Sequence, residues 1–191
     1  MNRRWLFRIV AGTLIAVVGW WVLDEDVPEP VEAPEALDRE RQPDYFVERF
    51  ILNATDERGV HTYRLHGDSM THFHGDDLWL VNLPWLIFYP ESGAPWHLRS
   101  ERGRAWNGVT EAMLEGEVTI RREATAHNLE ANVDTSEVYL RPASQYAETD
   151  EFAVYYRDGV RLSGIGARGY LGREELELLS EVRGVYETSG Q

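Results

Sequence analysis

Cysteine is absent from the 191 residues, and so is lysine: all nineteen basic residues are arginine. Without cysteine no disulfide staples the chain and no thiolate carries chemistry, so an exported domain must rest on its core alone. Without lysine the glycine-rich phosphate loop that ends in lysine is excluded, and ATP hydrolysis would belong to a partner. Positive charge is scarce as well. Beyond residue 23 there are 16 arginines against 33 acidic residues, a formal charge of −17. That argues against nucleic acid as a ligand, because phosphate backbones are held by clustered cations. Long apolar runs are missing too, with one exception.

The exception is Trp5 to Leu23 (WLFRIVAGTLIAVVGWWVL), apolar except for Arg8 and Thr13. At 1.5 Å per residue it would reach about 28 Å as a helix, close to the hydrocarbon thickness of a bilayer. Arg3, Arg4 and Arg8 stand at its start and Asp24, Glu25 and Asp26 follow it, which orients the amino terminus inward. A cleaved signal peptide shares these features, but cleavage needs small residues where this run has Trp20, Trp21, Val22 and Leu23. Residues 1–23 are therefore predicted to be a cytoplasmic tip and one transmembrane helix. Gly12, Ala16 and Gly19 make a small-residue stripe on which another helix can pack, although such residues are common in any spanning helix. Residues 24–43 hold four prolines, eight acidic residues and no aromatic, the composition of an extended tether. Residues 44–191 are expected to form one domain of ordinary size.

Within that domain apolar residues recur at every second position. Ala112, Leu114, Gly116, Val118 and Ile120 share one parity, opposed by Glu111, Glu115, Glu117, Thr119 and Arg121. Leu129, Ala131 and Val133 repeat the pattern, as do Leu176, Leu178, Val182 and Tyr186. Arg173 to Leu179 (REELELL) has helical propensity, yet the alternation running on to Tyr186 favours a strand. Turn signals at Asp56–Gly59, Gly75–Asp77, Pro90–Gly93, Gly103, Asn107–Gly108 and Asp158–Gly159 separate short runs. The expectation is an all-β domain of about fifteen strands, as a sandwich, jelly roll or barrel. Periodicity does not decide whether the apolar face closes on itself or stays open as a groove.

Candidates for chemistry are few. His72 and His74, followed by Asp76 and Asp77, have a spacing that metal sites use, but a strand end running into a polar turn explains them more simply. Neither a metal nor a cofactor is expected, and no nucleophile motif stands out. Gly59 is placed where a positive φ or a close approach excludes a side chain, while Gly164, Gly166 and Gly169 are expected as bulges that bend the sheet.

The order of Pro43-Asp44-Tyr45, Gly59, Tyr63-Arg64-Leu65, Met70-Thr71-His72-Phe73, Pro84 and Trp96 resembles the LptC family of lipopolysaccharide export proteins. So does the second half, with Leu114-Glu115-Gly116-Glu117-Val118, Leu129 to Thr135, Ala147-Glu148-Thr149-Asp150, Gly164 to Leu171 and Val182-Arg183-Gly184-Val185-Tyr186. The resemblance implies a bitopic inner-membrane protein with a periplasmic, open β jelly roll and no enzymatic activity. It implies lipopolysaccharide as cargo, received from the ATP-driven extractor of LptB, LptF and LptG and passed to the soluble LptA. On the alternation, the acyl groove would be lined by Phe50, Leu52, Tyr63, Leu65, Leu114, Val118, Ile120, Leu129, Val133, Leu176, Leu178, Val182 and Tyr186. Arg183, Val185 and Tyr186 would lie at the LptA junction, and the Gly12, Ala16 and Gly19 stripe would meet the extractor's helices. Two rivals stand beside this reading: a structural adaptor that links partners without lipid, and a membrane-anchored hydrolase.

Overall fold

Two-residue alternation buries one face of every strand, so the chain folds back on itself strand after strand. The computed structural model describes residues 43–73, 75, 77–126 and 129–186. The expected anchor, with Gly12, Ala16 and Gly19, and all of the expected tether but Pro43 lie outside the described residues. Among the described residues no helix is long and apolar enough to cross a membrane.

Eleven strands follow one another: β1 (Tyr45–Thr55), β2 (His61–Phe73), β3 (Leu78–Asn82), β4 (Trp85–Phe88), β5 (Trp96–Arg99), β6 (Arg102–Trp106), β7 (Glu111–Arg122), β8 (Ala131–Arg141), β9 (Tyr146–Arg157), β10 (Val160–Tyr170) and β11 (Glu175–Tyr186). They form one antiparallel sheet. The number is smaller than the expected fifteen because several breakers lie inside strands. Gly103, expected in a turn, is within β6, where Pro84 packs against it: a Cβ there would meet Pro84 Cγ at 3.3 Å. Gly67, Gly116 and Gly164 likewise interrupt side chains without ending strands.

The topology is a meander. β3 and β4 both pair with β2, from Phe73 opposite Leu78 to Tyr63 opposite Phe88, so they are one line broken at Leu83-Pro84. Proline lacks the N–H that a ladder needs. β5 and β6 are a second broken line, both paired with β7. The breaks face each other and are bridged, Leu83 N donating to Glu101 O at 2.9 Å and Ser100 N to Pro84 O at 3.3 Å. Among the described residues β1 pairs only with β2 and β11 only with β10, which leaves an edge at each end of the sheet.

Successive strands carry an irregularity near their middle. Arg49, Leu83, Gly116, Glu137, Gly166 and Glu181 all have positive φ, and register shifts fall beside them in β7, β8 and β10. Gly116 N donates to Glu137 Oε1 at 2.8 Å, which places two of these positions side by side. Each bulge bends its strand and increases its twist. Aligned across the sheet they make a crease, about which the sheet curls over its apolar face. Left-handed backbone costs an ordinary L-residue about 1–2 kcal/mol, and asparagine tolerates it better. Leu83 is exposed at φ 49°. Leu83→Asn is therefore expected to stabilise the domain by about 1 kcal/mol, raising the thermal midpoint by about 2–4 °C. A lowered midpoint in thermal denaturation would show that the leucine contributes packing instead.

The core is centred on β4 to β9, where Phe88, Leu98, Val118, Val138 and Leu140 are almost wholly shielded. Two short 3-10 turns, Pro142–Ser144 and Leu171–Arg173, cap one side of it. Leu171 N donates to Gln145 O at 2.9 Å and Trp96 Nε1 donates to Leu171 O at 3.1 Å. Gln145 Nε2 donates to Tyr89 O at 3.1 Å. These bonds tie the β8–β9 and β10–β11 corners to the end of β4 and the start of β5.

Candidate functional site

Beyond the filled centre the curled sheet leaves space. A cavity of about 510 Å³ lies between β7, β8, β9, β10 and the start of β11. Its wall is largely apolar: Ile120, Ala131, Val133, Val138, Ala147, Tyr155, Val160, Leu162, Ala167, Leu171 and Leu176. These residues meet because alternate positions of four adjacent strands point to one side of the sheet. Leu129, at 63% exposed, and Tyr186, at 70%, also line the cavity. Large apolar side chains left exposed beside an apolar cavity mark a binding surface more than an unfinished core. A second recess of about 580 Å³, lined in part by Phe50, Gly67, Leu83, Pro84, Trp85 and Arg99, lies at the other half of the sheet.

The thirteen positions expected to line a groove separate into groups. Ile120, Leu129, Val133, Leu176 and Tyr186 line the cavity on the β7–β11 side. Leu114 and Val118 are buried in the core, and Tyr63 and Leu65 pack against it. Phe50 lies over Gly67, where any Cβ would come within 2.5 Å of its ring, and Leu52 pairs with Leu65 on the edge strand. Leu178 and Val182 flank Gly164, with atoms 3.3 and 3.6 Å from the place of its missing Cβ. All three of Leu178, Val182 and Gly164 therefore share one face of the sheet. Arg183, Val185 and Tyr186 lie in the last part of β11, exposed, with pairing on one side only.

The glycines differ in kind. Gly59 has φ 81° with open space around it, so backbone conformation, not crowding, selects it. Gly164 is crowded: a Cβ would meet Ser180 O at 2.9 Å. Gly169 lines the cavity, and its nearest neighbours would be 3.8 Å from a Cβ.

Polar residues also border the cavity: Arg122, Thr135, Glu148, Thr149, Arg157, Glu174 and Glu175. Tyr146 donates to Glu148 Oε2 at 2.6 Å. Its phenol is pushed up to about 12, by desolvation first and then by that bond to a carboxylate. Burial alone raises the Tyr63 phenol, and desolvation lowers the His97 imidazole. Thr149 Oγ1 donates to Ser136 O at 2.7 Å. His72 Nδ1 is 2.8 Å from Asp44 Oδ1 and its Nε2 is 3.6 Å from Asp77 Oδ1, with the ring against Trp79. That arrangement ties the start of β1 to the β2–β3 turn. His74 and Asp76 lie outside the described residues, and among the described residues no group of three or more His, Cys, Asp or Glu is placed to hold a metal.

Sequence reasoning missed Arg122, Tyr155, Ala147, Leu162 and Ala167 in the cavity wall. Arg122 continues the parity of Val118 and Ile120, so the signal was present but masked by its charge. Tyr155 falls in Phe152–Tyr156, an unbroken apolar run in which no parity shows.

An antiparallel meander, curled into a jelly roll with an open edge at each end and an apolar space inside, is the LptA-like β fold. Among solved structures this chain is similar to LptH of Pseudomonas aeruginosa, described as the LptA-homologous periplasmic component of the lipopolysaccharide transport device. The TM-score is 0.54 at 8% identity, covering 66% of this chain and 95% of LptH, so the likeness is one of fold. The family described as lipopolysaccharide-assembly, LptC-related matches residues 9–187, and the chain belongs to it. No curated protein matches the sequence.

Proposed function

We propose that this chain is a non-enzymatic, inner-membrane-anchored component of the lipopolysaccharide transport bridge. Residues 1–23 hold it in the membrane, residues 24–43 space it from the bilayer, and the domain from residue 44 onward carries acyl chains on its inner face. It receives lipopolysaccharide from the LptB, LptF and LptG extractor and hands it to LptA. The observation that carries this reading is the apolar cavity lined by both the inner strands and the edge strand β11. Burial at about 25 cal/mol per Å² of apolar surface supplies the attraction for an acyl chain, and no bond in the cargo need change. Energy for movement comes from the partner that hydrolyses ATP.

The filled centre around Leu114 and Val118 favours the rival, an adaptor that binds partners without lipid. One experiment separates them. Photoreactive residues placed singly at Val133, Leu176 and Tyr186 are expected to crosslink lipopolysaccharide during ATP-driven transport. The same residue at Glu177 or Arg168, on the outer parity, is expected to stay at background. Equal labelling of both sets, or none at Val133, would leave the adaptor standing.

A further inference from the structure

Of the charged residues that line the cavity, Arg122, Glu148, Arg157, Glu174 and Glu175, only Arg122 is buried. Arg122 is on the inward parity of β7, lines the cavity and is only 8% exposed. Its guanidinium is held from three sides. Trp96 covers it at 4.6 Å, Nη2 donates to Leu129 O at 3.0 Å, and Nη1 is 2.9 Å from Glu174 Oε2. Even so, among the described residues Nε has no hydrogen-bond partner, and Nη1 meets Glu174 as an ion pair outside hydrogen-bond geometry. Burying a guanidinium with idle donors is costly, and the cost is offset when a planar or tetrahedral oxyanion meets its fork with two parallel bonds. Glu174, whose Oε2 meets Nη1, is the residue that ends the 3-10 turn, at φ 58°. Removing such a carboxylate requires movement of a corner, not of the core.

We propose that Arg122 is an anion seat inside the cavity, taking the phosphate or carboxylate of an acylated ligand whose chain lies along Ile120 and Val133. The inference rests on the acyl-chain reading above and adds the head group to it. The incoming anion displaces Glu174 from Arg122, so the ion pair is the resting state of the seat and Glu174 its competitor. A cavity of about 510 Å³ is within the range of roughly 300–1,000 Å³ typical of small-ligand sites, room for an acyl chain beside the guanidinium.

The test uses the full-length protein in phosphatidylcholine nanodiscs, with diazirine-bearing tetradecanoic acid, tetradecyl phosphate and tetradecanol as probes and mass spectrometry of the labelled peptides as readout. Both anionic probes are expected to label the cavity strands roughly tenfold more than the alcohol, the difference one charge-assisted pair provides. Arg122→Gln should remove the preference while leaving alcohol labelling intact, and Arg122→Lys should retain part of it. Glu174→Gln, at a partly exposed position that does not threaten folding, should increase anionic labelling. Equal labelling by acid and alcohol, or an unchanged preference in Arg122→Gln, would overturn the seat and leave the groove reading intact. No cavity labelling by any probe would overturn both.

Discussion

Deleting residues 183–191 should abolish capture of LptA while leaving binding to the extractor largely intact. The last strand, β11, pairs with β10 alone, so one row of its backbone N–H and C=O groups faces away from the sheet. An edge of that kind is a template for another strand, and main-chain bonds give such a junction its affinity. The proposed transfer to LptA needs one edge at which the apolar face continues from one domain into the next. β11 fits, because Leu176 and Tyr186 line the cavity while the strand's outer edge is free of pairing. Truncation at Arg183 removes the rungs opposite Val160 to Ser163 together with Tyr186. Three lost junction bonds at about 1 kcal/mol each would weaken capture by roughly a hundredfold. A milder version, Val185→Pro, removes one donor and adds a steric block, with a correspondingly smaller loss. Pull-down of LptA and, separately, of the extractor checks both. If the truncated but folded protein retains LptA at the wild-type level, docking at this edge is wrong, and the β1 edge or a face of the sheet must serve.

How far the sequence discloses this architecture depends on what each residue type can signal. Alternation in Ala112–Ile120 and Leu176–Tyr186 identifies strands and their inward parity, because a two-residue period has only two faces to choose between. Leu129, Val133, Leu176 and Tyr186 reach the cavity on that signal alone. Counting strands fails where a glycine inside a strand reads as a turn: Gly103 lies within β6, whose ladders continue on both sides. The crease is less legible still. Gly116, Gly166 and Pro84 hint at it, but Arg49, Leu83, Glu137 and Glu181 take positive φ without any sequence mark. Tertiary register imposes their conformation, since the neighbouring strands bulge at the same level. Parity also cannot tell a packed wall from an open one. Leu114 and Ile120 look alike in sequence, yet Leu114 is in the filled centre and Ile120 also borders the cavity. The difference arises from the curl of the whole sheet, which no local pattern encodes. Arg122 illustrates the same limit from the other direction: a charge at an inward position looks like the end of a strand until the sheet brings Trp96 and Glu174 over it.

Gly164→Val should detach the edge strand from the rest of the sheet. Gly164 is buried on the inward face of β10, and a Cβ there would fall 2.9 Å from the backbone oxygen of Ser180 and 3.3 Å from Leu178 Cβ. A flexible side chain could move aside, but a carbonyl engaged in the neighbouring strand cannot do so without shifting its ladder. The β10–β11 register already slips between Ser163 and Ile165, so the added methyls meet the sheet where it has least freedom to adjust. Overpacking of this kind costs about 1–3 kcal/mol, and Gly164 is far from Phe88 and Leu98 in the core, so the domain should remain folded. The expected result is a thermal midpoint lowered by several degrees together with fast amide exchange from Leu178 to Arg183, while β7 and β8 stay protected. Gly169→Ala is the control: its nearest contacts would be 3.8 Å, ordinary van der Waals spacing, so exchange and midpoint should hardly change. LptA capture by Gly164→Val should then fall in step with the loss of β11 protection. Wild-type exchange in β11 would mean that the strand accommodates the side chain, and that the glycine is there for some reason other than close approach. Loosened exchange with undiminished LptA capture would be the more consequential result, because it would move the docking site off the carboxy-terminal edge.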